Sequence, residues 1–226
     1  MFVKSRIKKG PFNVELLLAI LLLSTAVSPL ATTHELLFQP GPEVGEDAHV
    51  DDWFGDATYN DYYLQVFKDE PIREMRTYIE FVELEPYLGS GHECLTATLS
   101  LFWYTGIQAP SPWLHVYRAA GPWEEDTLAW NNQPGYTGDP CVYPGPVPSE
   151  PSWVDIDCVT EIVNGWLSGE YEHYGFVIRY ADEEEVISEL FYSSDNYHDE
   201  KPKLYIEYQC TGVEPASLGV VKVVYR

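Results

Sequence analysis

From Leu95 to Trp103 the chain alternates: Leu95, Ala97, Leu99, Leu101 and Trp103 share one parity, and Thr96, Thr98 and Ser100 the other. Successive side chains of a β-strand point to opposite faces, whereas a helix brings them round every 3.6 residues, so this run fits only a half-buried strand. Shorter segments repeat the pattern. Leu64 and Val66 follow Tyr62; Thr77, Ile79 and Phe81 alternate with Arg76, Tyr78 and Glu80; Leu114, Val116 and Arg118 leave His115 and Tyr117 outward. Glu35 to Phe38, Trp153 to Ile156, Phe176 with Ile178, Phe191 with Ser193, and Leu204, Ile206 and Tyr208 supply further strands, with the acidic tip ADEEE at 181–185 between two of them. One segment has a different period. Val159, Ile162, Val163 and Trp166 fall at i, i+3, i+4 and i+7, which predicts a short helix near residues 158–167, capped by Asp157 and ended by Gly169. Eight to ten short strands and one helix predict an all-β fold, an antiparallel jelly-roll β-sandwich.

The amino-terminal end sets the compartment. Lys4, Arg6, Lys8 and Lys9 precede the apolar run Leu16 to Val27 and the small-residue stretch SPLATT, the pattern of a secretory signal peptide over residues 1–31, with cleavage after Ala26 or Ala31. The apolar run is too short to span a bilayer, so no transmembrane span is expected in the mature chain. Removing that segment takes four of the 13 basic residues and one of the 36 acids, leaving a formal charge of −26 on the secreted part. Such a surface repels phosphate, which excludes nucleic acid as a partner. It also opposes tight binding of polyanionic glycans unless a cation mediates. Residues 35–210 form the expected domain. The tail 211–226, TGVEPASLGVVKVVYR, reads as a flexible end or a sorting or attachment signal.

Four cysteines in an oxidising compartment predict two disulfides, with three possible connectivities. Cys141 and Cys158 flank a Pro- and Gly-rich stretch from 135 to 151 that is expected to hold no regular structure, and they form a natural pair closing it. If the last strand runs antiparallel to Leu95–Trp103, Cys94 meets Cys210. The two have opposing parities, so a turn past the strand ends has to re-aim them. No C-x-x-C spacing is present, which argues against a zinc or redox site.

Binding candidates follow from residue type and setting. Asp47, Asp51 and Asp52, with Asp56 and Asp61 nearby, crowd a stretch that reads as loop-rich and are the candidates for a structural calcium, which takes six to eight oxygen ligands. Their spacing is not that of an EF-hand, and a solvated acidic loop competes with the metal reading. Trp53, Trp113, Tyr136 and Tyr143 lie in loop-like stretches, where exposed rings stack on sugar faces. For catalysis the adjacent Glu124 and Glu125 come into view, but acids are so numerous that chance pairs are expected. No G-x-S-x-G or H-E-x-x-H is present, and His92 and His115 sit beside strands without a ligand set, so no enzyme is expected.

The stretch from Pro122 to Pro134, PWEEDTLAWNNQP, resembles the W-x-E-x-T-x-T-W-N-N-Q-P mark of DNRLRE domains, secreted modules related to carbohydrate-binding modules. GEDAHV, RTYIEF, ATLSLFWY, VDIDCVTEIVNGWLSGEYEHYGF and FYSSDNYHDEKPKLYIEY match the same family in the same order, over residues 36–208. Ala129 stands where the family usually has Thr, Cys158 where it has Val, and the loop carrying Cys141 is elaborated. The resemblance implies a β-sandwich that binds glycans in some members, alginate among them, or serves as a structural appendage of large surface proteins. It supplies no list of ligand contacts, so none is transferred. The expected function is a non-catalytic secreted or cell-surface module for carbohydrate binding or adhesion, the alternative a purely structural component of a surface layer or appendage. A signature shared by members with different ligands fixes structure, so Trp123 and Trp130 are expected to be largely buried, and Asn131 and Asn132 to hydrogen-bond the loop backbone.

Overall fold

The computed structural model describes residues 32–69, 73–107, 114–146, 148–180 and 186–210. The signal segment 1–31, Trp113, the 181–185 tip and the tail 211–226 lie outside the described residues. The strands are β1 (Thr33–Phe38), β2 (Glu46–Asp51), β3 (Tyr63–Asp69), β4 (Arg73–Glu80), β5 (Glu93–Ile107), β6 (Leu114–Ala119), β7 (Tyr136–Tyr143), β8 (Ser152–Ile156), β9 (Phe176–Tyr180), β10 (Ile187–Tyr192) and β11 (Lys203–Gln209), with helix α1 (Thr160–Ser168) between β8 and β9. Every pairing is antiparallel, in the order β1-β11-β5-β10-β3-β4-β9-β6-β7, with β2 on β4 and β8 on β5. The sheet curls on itself, and strands from both ends of its order share one core, as the expected all-β sandwich requires. Ala97, Leu99, Leu101 and Trp103 of β5 join Val116 of β6, Phe176 and Ile178 of β9, and Val163 and Trp166 of α1.

The long strand β5 is the hinge of this arrangement. Its first half pairs with β11, its second half with β10, and β8 lies along its other edge, so Trp103 pairs with both Phe191 and Ser152. Two β-bulges break its register. At the first, Glu207 faces Thr96 while Tyr208 faces Cys94, so Leu95 is the extra residue. This corrects the uniform alternation: Leu95 turns outward, 37% exposed, and Cys94 turns into the core. Cys94 and Cys210 are not bridged, contrary to the expected second disulfide. The bulge sets Cys94 opposite Tyr208, which leaves Cys210 diagonal to it. The expected Cys141–Cys158 disulfide is present and ties β7 to the turn ahead of α1.

Three further expectations change. The 135–151 stretch is not structureless, because its first half is β7. That strand lies at the end of the sheet order, and its Gly138-Asp139-Pro140 segment sits at an irregularity opposite Tyr117, a position where proline removes no needed ladder bond. Asp47 and Asp51 are not in a loop but on β2, both buried. Asp157 makes no cap, since its carboxylate accepts the Thr98 hydroxyl at 2.8 Å. α1 otherwise follows its pattern: Val159, Ile162, Val163 and Trp166 are buried, and Gly169 ends it at φ +78°. The helix also serves the edge of β5, with Asn164 Oδ1 accepting the Cys94 N–H and Thr160 Oγ1 the Ala97 N–H, each at 3.0 Å.

Candidate functional site

The two outer faces of the sandwich are treated differently by the chain. Over β2, β4, β6 and β9 a second apolar cluster forms, made of Ala48, Val50, Tyr78, Ala119, Leu128 and Val177, and the 122–134 stretch roofs it. Trp123 donates its indole N–H to the Tyr174 carbonyl at 2.9 Å and meets Tyr78 edge-on at 5.6 Å. Trp130 lies under the Arg76 guanidinium, 4.4 Å from its ring centre. Gln133 Oε1 accepts the Tyr78 hydroxyl at 2.8 Å and Arg76 Nη1 at 3.2 Å. Asn132 bonds the loop backbone as expected, accepting the Ala129 N–H and donating to the Thr127 carbonyl, both at 2.7 Å. Asn131 bonds the neighbouring loop twice, its backbone N–H donating to the Gly55 carbonyl and its side-chain amide to Asp56, both at 2.8 Å. Both tryptophans are partly rather than largely buried, because they cover a cluster outside the sandwich core.

Among the described residues, no such roof covers the outward side chains of β3, β10, β5 and β8. Tyr63 lies opposite Tyr192 in register, and a continuous run of rings extends from there. Tyr63 and Tyr104 stand 5.4 Å apart, Tyr104 stacks on Tyr192 at 5.4 Å, Tyr192 on Phe102 at 5.2 Å, and Phe102 meets Trp153 edge-on at 5.4 Å. The Lys203 ammonium sits 3.7 Å above the Trp153 ring and closes that end. The second bulge of β5 helps to build the run. Leu190 pairs with Thr105 and Phe191 with Trp103, so Tyr104 is the extra residue, and it points outward, 40% exposed, while Trp103 points into the core. His198 stacks on Tyr192 at 5.2 Å and carries Tyr197, 75% exposed, beside it.

At Tyr63 the run opens into a groove of about 410 Å³ lined by His49, Tyr59, Tyr63, Gln65, Arg73 and Leu190 among others. Arg73 stands at its far side, 5.7 Å from the ring centre of Trp53 and 5.8 Å from that of Phe54. Its guanidinium forms a two-pronged pair with Asp51. Burial raises the Asp51 carboxyl, but the bonds from Arg73 and the Trp53 N–H outweigh it and hold the group below its ordinary value. His49, stacked on Tyr59 at 4.6 Å, is lowered by burial to about 4, so the ring is neutral near pH 7. The surface offers flat apolar rings with amide, imidazole and hydroxyl groups at their margin.

The family model for carbohydrate-binding module family 96 matches residues 43–208. The chain belongs to that family. No curated protein matches it. The matched span of this family 96 module holds both halves of the sandwich, the roof at 122–134 and the whole run of rings. The DNRLRE resemblance is thereby supported at the level of carbohydrate-binding modules, while the narrower family rests on the motifs quoted above. No helix among the described residues is long and apolar enough to cross a membrane.

The module places the sequence candidates unevenly. Trp53, 61% exposed, stands beside Arg73 at the edge of the groove. Tyr136 packs under the roof instead, its hydroxyl accepting Arg179 Nη1 at 2.8 Å and its ring against Tyr117 at 4.4 Å. Tyr143 is half-buried against the sandwich core. Asp47, Asp51 and Asp52 do not converge: Asp51 serves Arg73, Asp52 accepts the Glu74 N–H at 2.9 Å, and Asp47 sits at the other end of β2 against Ser194. His92 stacks on Tyr208, and His115 lies beside the Tyr117 hydroxyl. Tyr63, Phe102, Tyr104, Trp153 and Tyr192 lie on strands and Tyr197 on a turn, positions that the loop-based expectation for aromatic candidates does not include. Strand parity held a signal for several of them, since Phe102 and Trp153 alternate with core residues.

Proposed function

We propose that this family 96 module binds a glycan chain along the run of rings from Trp153 through Tyr192 and Tyr104 to Tyr63, extended by the groove to Trp53. One observation carries the reading: the rings are contiguous along one sheet face, joined pairwise at 5.2–5.4 Å, with Tyr104 exposed and the buried Tyr192 backing its neighbours. Pyranose rings present apolar C–H faces that stack on aromatic side chains, while a few polar groups fix their orientation. Gln65 and Ser188, bonded to each other at 3.1 Å, lie among the outward positions where such groups are needed. The module holds its ligand without turning it over. The basic and apolar amino-terminal pattern supports secretion, and adhesion at a cell surface follows from glycan binding there.

The test is a glycan-array screen of the purified secreted chain followed by calorimetry on the sugars retained. Binding that weakens in Tyr104→Ala is the expected result. An array with no retained sugar would turn the assignment toward a purely structural role in a surface layer or appendage.

A further inference from the structure

The run of rings divides at Tyr192. Besides Tyr104 and Phe102, that ring meets His198, 10° from parallel at 5.2 Å. The His198 and Tyr197 ring centres stand 4.2 Å apart, and Tyr197 meets Tyr62 edge-on at 6.1 Å. A second arm of rings therefore leaves the first near its middle. It is also the more exposed arm: Tyr62 is 57% exposed and Tyr197 75%, the highest value of any large apolar side chain among the described residues. Tyr62 stands between the ends of the two arms. It lines the groove beside Tyr63 and also a hollow of about 480 Å³ shared with Pro42, Asn60, Asp61 and Asp195.

The turn that carries this arm is held from several sides. Asn196, 1% exposed, donates its amide to the Tyr62 carbonyl at 2.8 Å and accepts the His198 N–H at 3.0 Å. The Ser193 hydroxyl donates to the Asp61 carbonyl, the Ser194 N–H to Asp47, and the Gln39 amide to the Asp199 carbonyl, each at 2.7 Å. Three distant segments thus fix the backbone around Tyr197 while its ring is left in solvent. Rings presented on an ordered backbone lose little freedom when a ligand stacks on them, which is what preorganisation gives a binding site. Single exposed aromatics are ordinary on a surface, but a contiguous set marks a place of contact.

The chemistry of the margin narrows the ligand. Asn60, Asp61 and Asp195 bring amide and carboxylate groups to the hollow, which bond hydroxyls and oppose a further negative charge. An uncharged sugar unit suits that margin, and the volume lies within the range of small-ligand hollows. Both arms spring from the one ring of Tyr192, so a single ligand fills them together only if it divides as they do. We propose that the surface reads a branched polysaccharide, its main chain on the run from Trp153 to Tyr63 and a short uncharged branch on His198, Tyr197 and Tyr62, ending in the hollow. This rests on glycan binding along the first arm and adds the shape of the ligand, with Tyr197 and Tyr62 as the specificity-determining residues.

The experiment is titration calorimetry of the purified secreted chain with matched linear and branched probes: cellohexaose against xyloglucan oligosaccharides, mannohexaose against galactosylated mannan oligosaccharides, and xylohexaose against arabinosylated xylan oligosaccharides. In at least one pair the branched member should bind about 3- to 10-fold tighter, the worth of one or two ring contacts. Tyr197→Ala should remove that difference and leave the linear member within about twofold, whereas Tyr104→Ala weakens both. With its ring in solvent, Tyr197→Ala should not move the thermal midpoint; Tyr62→Ala repeats the test if it does. Linear probes bound as tightly as branched ones in every pair, or a branched preference that survives in both variants, would overturn the fork and leave the single run standing. Failure to bind any probe, linear or branched, would overturn both.

Discussion

Two alanine substitutions on opposite outer faces separate recognition from support. Tyr104 projects from a bulge with 40% of its surface exposed and touches Tyr63 and Tyr192, each at 5.4 Å. Aromatic pairs are worth about 0.5–1.5 kcal/mol each beyond burial, and solvent discounts them here, so Tyr104→Ala should cost about 1 kcal/mol of stability, or roughly 2–4 °C. A ring at the centre of a binding surface carries about 2 kcal/mol or more of affinity, so the same change should weaken glycan binding roughly 30-fold. Trp130 reverses the balance. Full truncation of a buried tryptophan costs about 3–5 kcal/mol, but Trp130 is only partly buried, on the satellite cluster, with Arg76 over its ring. About 2–3 kcal/mol is expected for Trp130→Ala, a drop of roughly 4–12 °C, with affinity unchanged. Scanning calorimetry and titration calorimetry on the same preparations read both axes. If Trp130→Ala abolished binding at an unmoved midpoint, or Tyr104→Ala bound as tightly as the parent, the assignment of the two faces would be wrong.

Other consequences concern stability alone. Glu189 on β10 is fully buried, accepts the Trp103 indole N–H and lies beside Tyr180; burial, against those two neighbours, lifts its carboxyl from 4.5 to about 7. The folded chain therefore keeps a proton that the unfolded chain loses, so stability present below pH 4.5 is lost as pH rises toward 7, by about 3 kcal/mol. Glu189→Gln should match the parent near pH 4 and exceed it by about 3 kcal/mol at pH 8 in urea melts; equal slopes for both proteins would refute this. Replacing Cys141 and Cys158 together by Ser opens a loop with a sequence separation of 17 and should cost about 3 kcal/mol in the same assay, with glycan affinity retained. An unchanged urea midpoint would show that the bridge does not stabilise the fold.

The inner face of the sandwich was legible because alternation records burial directly. Leu99, Leu101, Ile79 and Ile206 all lie where their parity puts them. Alternation fails where a strand gains a residue, as at Leu95, since the letters continue the pattern while the backbone does not. It fails again where burial comes from a distant segment. Tyr78 reads as an outward residue of a half-buried strand, yet it is fully buried beneath a roof bonded to it from Gln133, 55 positions later. The aromatic face was hidden for a related reason. Phe102, Trp153 and Tyr192 are visible singly, but their adjacency depends on the β3-β10-β5-β8 order, which no local pattern encodes. Asp47 was singled out by its neighbours in sequence, Asp51 and Asp52, whereas its partners in space are Glu125 and Ser194.

The outermost pairing bears on how the module carries load. β1 lies at the end of the sheet order against β11, with Thr33 opposite Gln209 and Phe38 opposite Leu204. The amino-terminal residue of the first strand and the carboxy-terminal residue of the last therefore leave the sandwich side by side. Tension applied between them does not shear the ladder as a whole. It opens the ladder like a zipper, one residue pair after another from Thr33 inward, so resistance is set by a single pair at a time.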